Sequence, residues 1–235
     1  VLDIDSSFDD RSAQSYARSD HRRAAGYDGQ RSVQLFHYHL VTSRVRLLEA
    51  RYLGKLGFSL VGRYGWKGET SEWFEAGTSW EELDAMGFRL RLVELTHGAV
   101  NVVLQPGHWE HPRVDHIGIA LDDDAFTEAL ERAADLGLKI QDHPGKRTFI
   151  ATDAGYRLEV HPPRDWIDEQ LARVDELRLG ELHMRAQDPE EKAVALAEIL
   201  GLDRVECDVL VGDTLVRFQP GGPEGRPELV AEVLL

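Results

Sequence analysis

The sequence predicts an α+β fold built from tandem βαβββ repeats that close into a cupped mixed sheet, and three observations carry that reading. A run of strand, helix and three further strands begins at residue 33 and recurs from about residues 113 and 178. Each helix of the pattern runs out at a glycine: Gly57, Gly137 and Gly201. The strands "FHYHLV", "HIGIAL" and "YRLEVH" alternate aliphatic side chains with chargeable or small ones, which gives each strand one face for a core and one for a cavity. A supersecondary unit met three times is stronger evidence than any single strand.

Taken in order, residues 1–32 hold many Ser, Asp and Arg with little apolar periodicity and read as a polar arm. The first repeat spans 33–112. "VQLFHYHLVT" is its first strand, and "SRVRLLEARYLGKLG" places Val45, Leu48, Tyr52, Leu53 and Leu56 at helical spacing before the Gly57 C-cap. "FSLVGRYG" is a strand, and "MGFRLRLVELTHGAVNVVLQPG" is a hairpin turning at His97-Gly98. Between them lies an insertion with Trp66, Trp73 and Trp80, read as a lid over a pocket because insertions of that length are more often functional. The second repeat, 113–163, runs through "VDHIGIALD", the helix "DDAFTEALERAADLG", "LKIQDHP", and a hairpin turning at Asp153-Ala154-Gly155. A linker helix covers 164–177. The third repeat, 178–235, reads "LGELHMRA", a helix opened by Asp188-Pro189, then "CDVLVG", "TLVRFQP" and "ELVAEVLL" as its three closing strands.

A net charge of −15, from 27 basic and 42 acidic residues, argues against a nucleic-acid partner or an anionic membrane surface. No apolar run reaches the roughly 18 residues of a membrane span, and no basic-then-apolar leader opens the chain, so the expected compartment is the cytoplasm. Cys207 is the only cysteine, which excludes an internal disulfide and a cysteine-based zinc site.

The candidate chemistry follows from strand faces. His116, Gly118 and Ala120 share one face of "HIGIAL", opposite Ile117, Ile119 and Leu121. Arg157, Glu159 and His161 oppose Tyr156, Leu158 and Val160, and His37 and His39 share a face with Val41. Buried charge without a partner costs several kcal/mol. Two imidazoles and a carboxylate make a facial N,O set for one divalent ion (Fe, Mn, Ni, Co or Zn) with positions left open.

These residues carry a resemblance. The repeats, the first-strand histidines in "HYHLV" and "DHIGIAL", the helix end "YLGKLGF" and the Glu of "GYRLEV" resemble the vicinal oxygen chelate superfamily of glyoxalases, bleomycin-resistance proteins and type I extradiol dioxygenases. The resemblance implies His37, His116 and Glu159 as metal ligands. His39 and His161 are the nearest candidates for acid–base work, and Asn101, Gln105 and Arg157 are expected to face the substrate. Val103 stands where glyoxalase I-like members carry a fourth ligand. Phe149 and Ile150 stand where a dioxygenase has a tyrosine, which leaves the reaction open. The implied function is a metal-dependent enzyme acting on a small oxygen-rich organic substrate, by isomerase, lyase or ring-cleaving dioxygenase chemistry. The alternative is a non-catalytic protein that sequesters a drug or metabolite. In the third repeat Glu181 and His183 match His37 and His39. Since such repeats work in pairs, the odd one is expected to pair in a homodimer or to cap the first two, with a missing fourth repeat as the alternative.

Overall fold

The computed structural model describes residues 33–143, 147–152, 154–173, 177–221 and 231–234. The polar arm read at residues 1–32 and the turn position Asp153 lie outside them. The first repeat is β1 (Val33–Thr42), α1 (Val45–Lys55), β2 (Ser59–Lys67), β3 (Thr70–Glu75), α2 (Trp80–Ala85), β4 (Phe88–His97) and β5 (Val100–Pro106). The second is β6 (Arg113–Leu121), α3 (Asp123–Asp135), β7 (Lys139–His143), β8 (Arg147–Ala151) and β9 (Arg157–His161). Their strands form one nine-stranded sheet in the order β3-β2-β4-β5-β1-β6-β9-β8-β7. The two first strands, β1 and β6, meet antiparallel at its centre, and each runs parallel to the last strand of its own repeat. Every polar-faced strand singled out in the sequence therefore lies in one four-strand stretch.

One face of that stretch is aliphatic. Tyr38, Leu40, Val102, Leu104, Ile117, Ile119, Leu158 and Val160 are buried in a core with residues of α1 and α3. Two register shifts in β1, at Leu35/His37 and His39/Leu40, bracket its histidines. Such bulges re-aim side chains, and Phe36 as well as His37 turns to the polar side, where its ring lies 5.8 Å from that of His161.

The insertion carrying the three tryptophans differs from a loop-like lid. It prolongs β2, adds the edge strand β3 and ends in α2, whose start is a capping box between Ser79 and Glu82. Trp80 is anchored there: its indole N–H donates to Glu49 at 3.3 Å, and the Arg46 and Arg63 guanidinium groups lie 4.2 and 4.4 Å from its ring centre. Trp73 covers Gly62, where an added Cβ would lie 2.5 Å from its ring.

After α4 (Asp165–Leu171), the third repeat comprises β10 (Glu181–Ala186), α5 (Pro189–Leu200), β11 (Arg204–Val205), β12 (Asp208–Val211) and β13 (Thr214–Pro220), with β14 (Ala231–Leu234) following. Its sheet runs β11-β12-β13-β10-β14. The closing strands are therefore β11, β12 and β13, and the segment read from sequence as the third of them is β14 instead. β14 pairs antiparallel with the open edge of β10, as β1 does with β6. The helix α5 packs on α3, and the buried residues of all three repeats form one core. Arg132 of α3 donates to the Ile199 carbonyl at 3.0 Å and crowds the left-handed Gly201 that ends α5. The free edge of β10 and the outer face of α5 are thus both met within the chain, by β14 and α3. Among the described residues no helix is long and apolar enough to cross a membrane.

Candidate metal centre

Sheet register brings the expected ligands together. One row across the polar face reads Asn101, His37, Gly118, Glu159 and Phe149 on β5, β1, β6, β9 and β8; the next reads Val103, His39, His116 and Arg157. Gly118 makes the first row workable. A Cβ there would sit 2.7 Å from His37 Cβ and 3.0 Å from its Cδ2, so only glycine lets the imidazole lie over β6 between His116 and Glu159. His37, His39, His116, Glu159 and His161 are all buried.

His116 is the hub. Its Nε2 lies 3.3 Å from His37 Nε2 and 2.8 Å from Glu159 Oε2. Donors bound about 2.0–2.2 Å from one ion are separated by about 2.8–3.6 Å, so both spacings fit a shared metal. His39 stands directly across from His116 in the sheet. One ligand atom from each of His37, His39 and His116 falls within 4.8 Å of the others. His39 Nε2 is buried with no hydrogen-bond partner among the described residues, so that ring nitrogen is available to a ligand.

The outer atoms of the three expected ligands are each held. His37 Nδ1 meets Asn101 Oδ1 at 2.6 Å, and Asn101 Nδ2 donates to Glu94 Oε1 at 2.9 Å. His116 Nδ1 meets Asp115 Oδ2 at 2.7 Å, and Arg157 pairs with that same carboxylate oxygen. His161 Nε2 meets Glu159 Oε1 at 3.0 Å. An outer partner of this kind fixes ring tautomer and carboxylate orientation in metal sites. Among the described residues His39 has no such anchor.

Charge within the cluster is strongly redistributed. Burial, and then the charge on His116, lowers His37 to about 4 and His39 well below its ordinary value. Burial also opposes protonation of His116, but the Asp115 and Glu159 carboxylates outweigh it and the net shift is upward. Burial opposes ionisation of Glu159, yet hydrogen bonds from His116 and His161 hold it well below the carboxylate range. Glu94 is pushed up by burial, with the Asn101 N–H pulling it back.

Of the residues expected to face a substrate, Asn101 has both amide atoms engaged, by His37 and Glu94, and Arg157 pairs through Nη2 with Asp115. Gln105 lies near the open end of β5, paired in register with Val41. Sequence reasoning missed Asp115 and Glu94. The dipeptide Asp115-His116 was the available signal for the first; the second needed the β4–β5 register. It also missed the aromatic side of the site, where Phe36, Trp166 and His161 form a triangle of ring centres 5.7–5.9 Å apart, and Phe149 lies edge-on to His116 at 5.2 Å. In the third repeat, Glu181 and His183 bond each other at 2.5 Å, and Gln219 takes the remaining ring nitrogen at 3.3 Å.

No family model and no curated protein matches the chain. Solved structures match in shape. A xylose isomerase-like TIM barrel/4-hydroxyphenylpyruvate dioxygenase fusion protein is similar with a TM-score of 0.54 and 9% identity, over 84% of this chain and 35% of that one. The 2,3-dioxygenase LapB from Pseudomonas sp. KL28 is similar at 0.51 and 12% identity, over 86% of this chain and 74% of that one. Homoprotocatechuate 2,3-dioxygenase from Arthrobacter globiformis is similar at 0.50 and 16% identity, over 81% and 61%. The chain thus spans from about a third to three quarters of the length of these proteins. At 9–16% identity the likeness shows that the chain shares the fold of these proteins.

Proposed function

We propose that the protein is a divalent-metal-dependent enzyme of the vicinal oxygen chelate type, acting on a small organic substrate that presents two neighbouring oxygens. The observation that carries this reading is the set of three buried donors, His37 Nε2, His116 Nε2 and Glu159 Oε2, each with its outer atom tied to a separate partner. These three residues would hold one ion of Fe, Mn, Ni, Co or Zn. The bound metal would supply Lewis acidity toward the substrate oxygens.

The chain's own groups supply the rest. Asn101 and Asp115 hold His37 and His116 with Nδ1 protonated and Nε2 turned inward. His161 occupies Glu159 Oε1 and leaves Oε2 to the site. His39, lacking an outer anchor and neutral near pH 7, accepts a substrate proton at Nε2. Phe36, Phe149 and Trp166 keep water from the inner wall, and Gln105 meets the substrate near the open end of β5. The test is metal content of protein purified without chelator or affinity tag, beside a His116→Ala, Glu159→Ala variant. About one ion per chain, lost in the variant, supports the proposal. No ion, and no uptake of Fe, Mn, Ni, Co or Zn, refutes it and leaves a metal-free binding protein.

A further inference from the structure

One hydrogen-bonded arm of the site ends on a carboxylate that the function above does not use. Glu94 lies on β4 opposite Val103 of β5, beyond Asn101 as seen from His37. The Asn101 amide bridges the two, with Oδ1 on His37 Nδ1 at 2.6 Å and Nδ2 on Glu94 Oε1 at 2.9 Å. A side-chain amide fits such a place in two orientations, a half-turn apart, that exchange its donor and its acceptor. With the donor turned inward, His37 Nδ1 would have to accept. The ring proton would then sit on Nε2, the atom that faces His116 and is needed for the metal. An ionised carboxylate only accepts, so it admits one amide orientation and rejects the other.

We propose that Glu94 is a positioning residue: acting through Asn101, it fixes His37 as the Nδ1–H tautomer and keeps the Nε2 lone pair free for the metal. The proposal rests on the metal-enzyme reading. It also accounts for a difference between the two histidine arms. His116 donates to Asp115, which can only accept and needs no further constraint; a guanidinium, Arg157, suits the end of that arm. His37 donates to an amide, which is ambiguous, and there the arm ends on an acceptor.

The test uses the full chain with 15N-labelled histidine, reading ring tautomers from long-range 1H–15N correlations without metal and then titrating cobalt(II). Wild type shows His37 with the proton on Nδ1. In Glu94→Ala a substantial Nε2–H population appears and cobalt(II) affinity falls about tenfold or more, the usual cost of an outer-shell loss. The paired Glu94→Gln, Asn101→Asp variant reverses the polarity of the outer bond while keeping an acceptor for His37. It recovers both tautomer and affinity, which a loss of folding would not allow. A Glu94→Ala protein with the wild-type tautomer and affinity overturns the proposal. Wild type that takes up no cobalt(II) refutes the metal reading instead, and the tautomer measurement judges the role of Glu94 separately.

Discussion

Gly118→Ala tests the packing that positions His37. The added methyl carbon would lie 2.7 Å from His37 Cβ, about 0.8–1.3 Å inside an ordinary carbon–carbon contact. The atom it meets is fixed to the β1 backbone and cannot rotate away, so either the β1–β6 pairing opens or the imidazole leaves its place over Gly118. Overpacking of this kind costs about 1–3 kcal/mol, which for a domain of this size lowers Tm by roughly 2–12 °C. The displaced imidazole also withdraws Nε2 from His116, so metal affinity falls more than tenfold. Thermal unfolding by circular dichroism and calorimetric titration with manganese(II) or cobalt(II) measure the two effects. The comparison is Gly54→Ala, a helical position in α1 with nothing within 4 Å of the new atom, which gains about 0.5–1 kcal/mol. If Gly118→Ala melts and binds metal like wild type, the argument that glycine makes room for His37 is wrong.

Other consequences follow from the same geometry. His161→Ala frees Glu159 Oε1 and lowers metal affinity roughly 10–100-fold, while His161→Gln, which keeps an N–H donor, recovers part of it; equal affinity in all three proteins would refute the positioning role. Glu49→Ala leaves the Arg63 guanidinium buried beside Trp80 without its carboxylate and costs roughly 3–5 kcal/mol in urea unfolding; a loss under 1 kcal/mol would show that the pair is dispensable. The Tyr38 and Tyr52 hydroxyls bond each other at 2.8 Å in the core, and burial pushes Tyr52 up to about 12 and Tyr38 well above its usual value. Because the folded values are raised, this stabilisation is complete below pH 10 and is lost as pH climbs from 10 through about 12. It amounts to about 3 kcal/mol for Tyr52 at 1.36 kcal/mol per unit. Stability measured at pH 9 and pH 11.5, with phenolate absorbance, checks it; a Tyr52 that ionises near pH 10 in the folded protein contradicts it.

Much of this was legible because strand periodicity is local. Alternation in "HIGIAL" and "YRLEVH" assigned Ile117, Ile119, Leu158 and Val160 to the core and His116, Glu159 and His161 to the opposite face, as the sheet has them. The glycines at 57, 137 and 201 marked where helices stop, and each has positive φ. What stayed hidden depends on contacts between strands or on exceptions to alternation. Asp115 belongs to the other face by count, yet its short side chain reaches round to the neighbouring imidazole. Glu94 sits in a stretch read only as a hairpin, and its bond to Asn101 depends on how β4 and β5 slide. The bulge at Phe36 puts two consecutive side chains on one face, which a period of two cannot show. β14 carries the same alternation whether it closes β13 or covers β10; the choice lies in long-range pairing and leaves no mark in its own residues.

In the proposed centre three particular atoms share one ion. Anomalous diffraction from crystals loaded with manganese or cobalt, with data on both sides of the metal edge, locates that ion directly. The expected result is a single peak about 2.0–2.2 Å from His37 Nε2, His116 Nε2 and Glu159 Oε2, with His39 Nε2 outside bonding distance. A peak held by His37, His39 and His116 with Glu159 left on His161, or no peak on this face of the sheet, would contradict it.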